Sequence, residues 1–137
     1  MDFTVNIGST KKRTIKVSSA QTTKFLWEGE NVLSTPSMIS EMEETCRLLL
    51  KEQFIPQDDW DSVGTLVNIR HLAATPVGAN VVFMAKVATA DGRRVLFDVE
   101  ANDSLERIGG GQHERFIINV PSFKDKFIAK QKQLAEL

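Results

Sequence analysis

The segment "TPSMISEMEETCRLLLKEQF", Thr35 to Phe54, does most to limit what this chain can fold into. Thr35 stands as the expected N-cap and Pro36 at the first helical position, where its missing N–H costs nothing. Met38, Ile39, Met42, Cys46, Leu49, Leu50 and Phe54 recur at helical spacing, which predicts one wide apolar stripe on a helix of about five turns. Pro56 forbids its continuation. From Val63 to Val120 the pattern changes period: "GTLVNIRHLAA", "ANVVFMAKVATA", "RVLFDVEAND" and "ERIGGGQHERFIINV" read as β-branched and aromatic strands, with "TPVG", "DGR" and "NDSLE" between them. "ADGR" is an Asp-Gly hairpin turn, so its flanking strands pair antiparallel. A stripe that wide needs an apolar cover. The chain therefore predicts an α+β plan in which an antiparallel sheet curls round the helix.

Around this core, Thr14–Thr22 reads as a short strand, "KFLWEGENVLST" as a loop, and Pro121 to about Leu134 as a last helix. Gly109 to Gly111 interrupt a strand pattern, which marks a bulge, a bend or a close backbone approach. Strands of this length leave edges that invite a partner, and a sheet continuous across a dimer would remove one. A chain of 137 residues suits one domain, spanning 1–137. The net charge of -1 and the scarcity of aromatics, with no Tyr, give no footprint of nucleic-acid binding. Cys46 is the single cysteine, so neither a disulfide framework nor a CxxC site is expected, and no His/Cys/Asp cluster has metal-ligand spacing. "MDFTVNIGSTKKRTIK" lacks a signal peptide's apolar core, and no apolar run approaches membrane-spanning length. A cytoplasmic protein without metal, redox cofactor or membrane partner is the expectation.

Three polar residues fall in apolar places. Glu43 has Ile39, Cys46 and Leu50 as its helical neighbours, so its carboxylate projects from the side of the apolar stripe. It either snorkels at the margin or faces a polar cavity, because an unpaired buried carboxylate is costly. Thr35 lies eight residues earlier, roughly 12 Å along the axis. An N-cap role explains it, and a helix start also presents free N–H groups to a carbonyl oxygen. His71 follows "GTLVNIR" and continues the Val67, Ile69 row, the more apolar face of its strand. It is either a satisfied core residue or a base at the mouth of a pocket. His113, in "HER", has charged neighbours and less reason to be buried.

Together, "STPSMISEMEE", "SVGTLVNIRHLAATPVG" and "GGGQHERFIINV" resemble the fluoroacetyl-CoA thioesterase family of hotdog-fold proteins, in the family's order and over most of the chain, from about Thr35 to Val120. The resemblance implies a hotdog fold, a homodimer with an acyl-CoA channel near the subunit interface, and thioester hydrolysis with CoA as part of the substrate. It implies a catalytic constellation of Thr35, Glu43 and His71, with Gly64 and Arg115 bordering the substrate. Glu43 and His71 are then expected to meet in one small cavity, within a subunit or across the dimer. The longer, phenylalanine-bearing lid of the family's fluoroacetyl-specific member is replaced here by "FLWEGENV", with Gly29 where the lid aromatic is expected, so another small or medium acyl group is expected instead of fluoroacetyl. Arg70, Arg93, Arg94 or the terminal lysines would face the CoA phosphates. Two other classes are open: a non-catalytic acyl-CoA-binding or structural hotdog dimer, and a hydratase or dehydratase of acyl thioesters.

Overall fold

The structure is a computed structural model and describes residues 3–137. In chain order it runs β1 (Thr10–Lys16), a 3-10 turn (Ser19–Gln21), α1 (Thr35–Gln53), β2 (Trp60–His71), β3 (Asn80–Asp91), β4 (Arg94–Asn102), β5 (Arg107–Asn119) and α2 (Val120–Ala135). The five strands form one antiparallel sheet in the order β1-β3-β4-β5-β2. All five pack against α1, so the sheet curls round the helix as its apolar stripe requires. Met38, Met42, Cys46, Leu49 and Leu50 are fully buried against Phe83, Phe97, Val95, Ile108 and Ile117. Burying side chains of this size is worth about 1.5–3 kcal/mol each, which makes this stripe the main source of the fold's cohesion.

Three local expectations are corrected. The first strand lies at Thr10–Lys16, not Thr14–Thr22, because Val17 to Thr22 leaves the sheet through a turn whose Ser18 and Gln21 form a reciprocal capping box. β2 begins at Trp60, earlier than the apolar run suggested, since Asp61 is held by Arg47 of α1 through paired contacts of 3.0 and 2.8 Å. Ser34, not Thr35, is the N-cap of α1: its hydroxyl accepts from the Ser37 N–H at 3.2 Å. Thr35 is the first helical residue, which leaves its hydroxyl free of capping duty.

Two backbone features set the positions of the later site. The Leu33 N–H donates to the Thr75 carbonyl at 2.8 Å, tying the segment before α1 to the segment after His71. β2 bulges between Gly64 and Leu66, so Thr65 has no register partner on β5, although its hydroxyl donates to the Glu114 carboxylate there at 2.6 Å. Beyond the bulge β2 is an edge strand, and Leu66 and Val67 are exposed.

The triple glycine proves to be a close backbone approach. A Cβ on Gly109 would meet the Met38 sulfur at 2.6 Å, and one on Gly111 would strike the Asn68 carbonyl oxygen, with φ at +152° besides. Gly110 would meet only the Arg107 guanidinium, which can swing aside. Gly111→Ala should therefore lower stability by about 2 kcal/mol or more, while Gly110→Ala stays within about 1 kcal/mol. Urea melts of the two variants test the difference, and equal losses would refute the close-approach explanation.

Candidate functional site

Freed from capping, the Thr35 hydroxyl lies 2.8 Å from His71 Nδ1. The Leu33–Thr75 backbone bond makes this meeting possible, because it draws the helix start and the end of β2 to one place. The Nε2 atom of His71 is buried and has no hydrogen-bond partner among the described residues. Such an atom is unusual, since buried polar groups are nearly always paired. An open hollow of about 330 Å³ borders the pair, lined by Val32, Thr35, His71, Leu72, Ala73 and Ala74. The small residues after His71 leave this space clear. Burial holds the His71 pKa below its usual value, partly offset by the Ala73 backbone, so the ring is neutral at pH 7.

Glu43 lies elsewhere. Its carboxylate has 38% of the side-chain surface exposed, consistent with a place at the stripe's margin, and Oε1 lies 3.7 Å from Nε2 of His113. No hydrogen bond or ion pair joins it to His71 within the chain, so the expected meeting of the two does not occur in a single subunit. Instead Glu43, His113 and Arg115 converge on Gly64. A Cβ there would come within 2.6 Å of Glu43 Oε1, 3.0 Å of His113 Cε1 and 3.6 Å of Arg115. The absent side chain of Gly64 is the room in which this carboxylate sits.

Arg115 is buried and firmly held. Its Nε–H donates to Ser62 Oγ at 2.7 Å and a terminal N–H to the Ser62 carbonyl at 2.7 Å, while the other terminal nitrogen lies 3.2 Å from His113 Nε2. His113 is fully buried, contrary to expectation. Its charged neighbours misled: in a strand Glu114 points to the opposite face, whereas His113 and Arg115 share the face turned toward α1. The two-residue spacing of His and Arg in "HER" was the available signal, and Ser62 carried none. Burial holds the His113 pKa down, and Arg115 adds to this against the raising effects of the Leu66 carbonyl, Glu43 and Glu114.

A groove of about 490 Å³ lies apart from both clusters, between Arg93, Arg94, Phe116, Phe123 and Lys126. It has cations but no carboxylate–imidazole pair, so it lacks the groups for acid–base chemistry. Among the described residues no group of three His, Cys, Asp or Glu side chains could hold a metal ion, and no helix is long and apolar enough to cross a membrane.

A long helix in a curled antiparallel sheet, with carboxylate, imidazole and hydroxyl around small hollows, defines a hotdog-fold thioester hydrolase. Residues 17–121 match the family model described as fluoroacetyl-CoA-specific thioesterase. A fluoroacetyl-CoA thioesterase of Streptantibioticus cattleyicolor is 34% identical over 99 residues, 72% of this chain and 70% of that protein. The solved structure of a fluoroacetyl-CoA thioesterase superposes with a TM-score of 0.84 at 28% identity, covering 93% of this chain and 98% of that one. A Thermus thermophilus thioesterase superfamily member superposes at 0.87 over 98% of both chains, and at 24% identity it supports the fold alone. This chain belongs to the fluoroacetyl-CoA-specific thioesterase family.

Both histidines have pKa values below the unfolded value of about 6.5, so on acidification the unfolded chain takes up protons first. Their contribution to stability is complete above that value and is lost as pH falls through it. The Tm should decline steadily from pH 7.5 to 5.5, a window above the range where the carboxylates titrate. A Tm unchanged across it would mean that the two rings titrate normally in the folded chain.

Proposed function

We propose that the protein hydrolyses short or medium acyl-CoA thioesters to the free acid and CoA, using Thr35, Glu43 and His71. Gly64 and Arg115 border the acyl group. The observation that carries this reading is the buried, unpartnered Nε2 of His71, in a ring that Thr35 holds at Nδ1 and that lines a hollow, in a chain of this family. A neutral imidazole in that position exchanges protons with a reacting molecule near pH 7. Glu43 supplies the second function: it takes a proton from the attacking water, or attacks the carbonyl carbon itself. By either route one water is consumed, the C–S bond breaks, and the thiolate leaves with a proton. Arg115, fixed by Ser62, places positive charge near the Glu43 carboxylate. Related thioesterases have been solved in complex with acetyl-CoA and with fluoroacetate and CoA, which supports CoA thioesters as the substrate class.

The two clusters belong together in a homodimer. Gly64, beside Glu43, and His71, beside Thr35, lie toward opposite ends of the exposed edge strand β2. Antiparallel pairing of two β2 strands about a two-fold axis near Val67 and Asn68 sets Gly64 of one chain opposite His71 of the other. Glu43 of one chain then reaches the imidazole of the other, which accounts for their separation within one chain. The cytosol suits the single Cys46, whose thiol is buried and pushed far up by that burial.

Acyl selectivity differs from that of the family's fluoroacetyl-specific members. Gly29 has φ +87° in a loop whose buried Asn31 bonds to Leu26, Trp27 and Gly29. An aromatic residue there would be strained. Phe25, Leu26 and Trp27 are instead the exposed apolar side chains ahead of Thr35, and they suit a longer or less polar acyl chain.

Glu43→Ala and His71→Ala should each reduce release of CoA thiol from short acyl-CoAs by about two orders of magnitude or more. Equimolar mixing of the two inactive variants, after subunit exchange, should restore about a quarter of wild-type activity, since half of the dimers are mixed and each of those has one complete site. No recovery would assign each chain its own complete site. Gly64→Ala displaces the flexible Glu43 carboxylate and presses on the His113 ring at 3.0 Å but meets no backbone, so the Tm should fall only modestly while turnover falls by about tenfold or more. Wild-type turnover in that variant would remove Gly64 from the site. Saturable acyl-CoA binding without thiol release would favour a binding module, and water addition to an enoyl-CoA a hydratase.

A further inference from the structure

The mechanism above uses His71 and leaves the second histidine unassigned, although it is the more buried of the two. His113 Nδ1 lies 2.8 Å from the Leu66 carbonyl. A carbonyl oxygen only accepts, so Nδ1 must carry the proton. In the neutral ring Nε2 is then a lone pair, and it takes an N–H from Arg115 at 3.2 Å. Glu43 Oε1 also lies 3.7 Å from this Nε2. Carboxylate oxygen and lone pair are both acceptors, so no hydrogen bond forms between them and no ion pair exists while the ring is neutral. Glu43 thus sits beside an imidazole that cannot bind it.

We infer that His113 is a positioning residue: as the Nδ1–H tautomer it completes the clamp on Arg115 and leaves the Glu43 carboxylate unbound for the reacting molecule. The inference rests on the thioesterase reading and deepens it. Three contacts fix the guanidinium plane, two from Ser62 and one from His113. Three of the five arginine donors are used, none of them on Glu43. The bulge between Gly64 and Leu66 adjoins the one carbonyl that sets the tautomer. Bulges next to active sites commonly re-aim a group in this way.

The opposite tautomer, or a protonated ring, reverses each contact. An Nε2–H points at a guanidinium that has no acceptor to offer, and it bonds the Glu43 oxygen instead. Arg115 loses its third anchor and Glu43 its freedom together. The charged groups facing the ring are Glu43 from α1 and Arg115 from its own strand, with neutral Ser62 and the Leu66 carbonyl from β2; Glu114 acts on it only through its charge, from the opposite face of the strand. A histidine serving only to fill the core would need none of these contacts, and an apolar residue of similar volume would replace it.

Two measurements test the inference. The chain has only two histidines, so the imidazole ¹⁵N shifts of wild type, assigned with a His71 variant, report the His113 tautomer directly. A protonated Nδ1 and an unprotonated Nε2 at pH 7.5 are expected, and the reverse pattern overturns the inference whether or not the protein is active. In the acyl-CoA assay, His113→Leu should lower kcat by about tenfold or more with little change in KM, because the fault lies at the reacting centre and not along the CoA body. His113→Gln, whose amide oxygen can accept from Arg115, should regain most of that loss. A folded Leu variant with wild-type kcat refutes the role, as does a Gln variant as impaired as the Leu variant. If the Leu variant does not fold, the Gln variant against wild type and the tautomer measurement decide. Wild type without turnover would instead count against the thioesterase reading, while the tautomer still judges the His113–Arg115 link.

Discussion

One constraint organises this protein: the apolar stripe of α1 has to be buried, and a single curled sheet is what buries it. Met38, Met42, Cys46, Leu49 and Leu50 leave no solvent-facing surface. The strands are long because they must pass right across the helix. Glycines occur where wrapping brings backbone against backbone, at Gly111 on Asn68, or against the helix, at Gly109 on Met38. The residues of the proposed site lie where the wrapping ends. Thr35 is at the helix start and Glu43 two turns on, at the margin of the stripe, each facing a different part of β2.

Burial then sorts the polar groups by what they can do. The two histidines are both held neutral by desolvation, yet their hydrogen bonds differ in kind. His113 has both ring nitrogens engaged, by a carbonyl and by a guanidinium, and so can transfer no proton to a ligand. His71 has one nitrogen engaged by Thr35 and the other left over. An unsatisfied buried nitrogen costs about 1–3 kcal/mol, and in the proposed reaction its missing partner is the reacting molecule. The same contrast separates the carboxylates. Asp61 is locked to Arg47, whereas Glu43 faces a lone pair and the vacancy at Gly64.

Much of this was legible in the sequence because it follows from periodicity. The helix over Thr35–Phe54, the antiparallel strands after it and the hairpin at Asp91-Gly92 all depend on near neighbours along the chain, whereas the triple glycine left a bulge, a bend and a close approach open, because its contacts at Asn68 and Met38 are distant in sequence. The oddity of Glu43 and of His71 was equally visible, since each breaks a local pattern. Thr35 was misjudged as the cap because Ser34 offers the same hydroxyl one residue earlier, and the choice between them depends on what else the threonine can reach. His113 was misjudged because its neighbours in sequence are charged, while its neighbours in space are Leu66, Arg115 and Glu43.

The amino-acid order by itself determined the elements, their faces and the family, because those are set by residue type at short spacing. Only the tertiary structure decided the pairings: Thr35 with His71, Glu43 with the Gly64 vacancy, Arg115 with Ser62 and His113. These contacts join residues between two and 53 positions apart, and they depend on the register of β2 against β5, on one bulge, and on one backbone bond between Leu33 and Thr75. Register is a property of two strands at once. No local pattern in either strand encodes which carbonyl will face which imidazole.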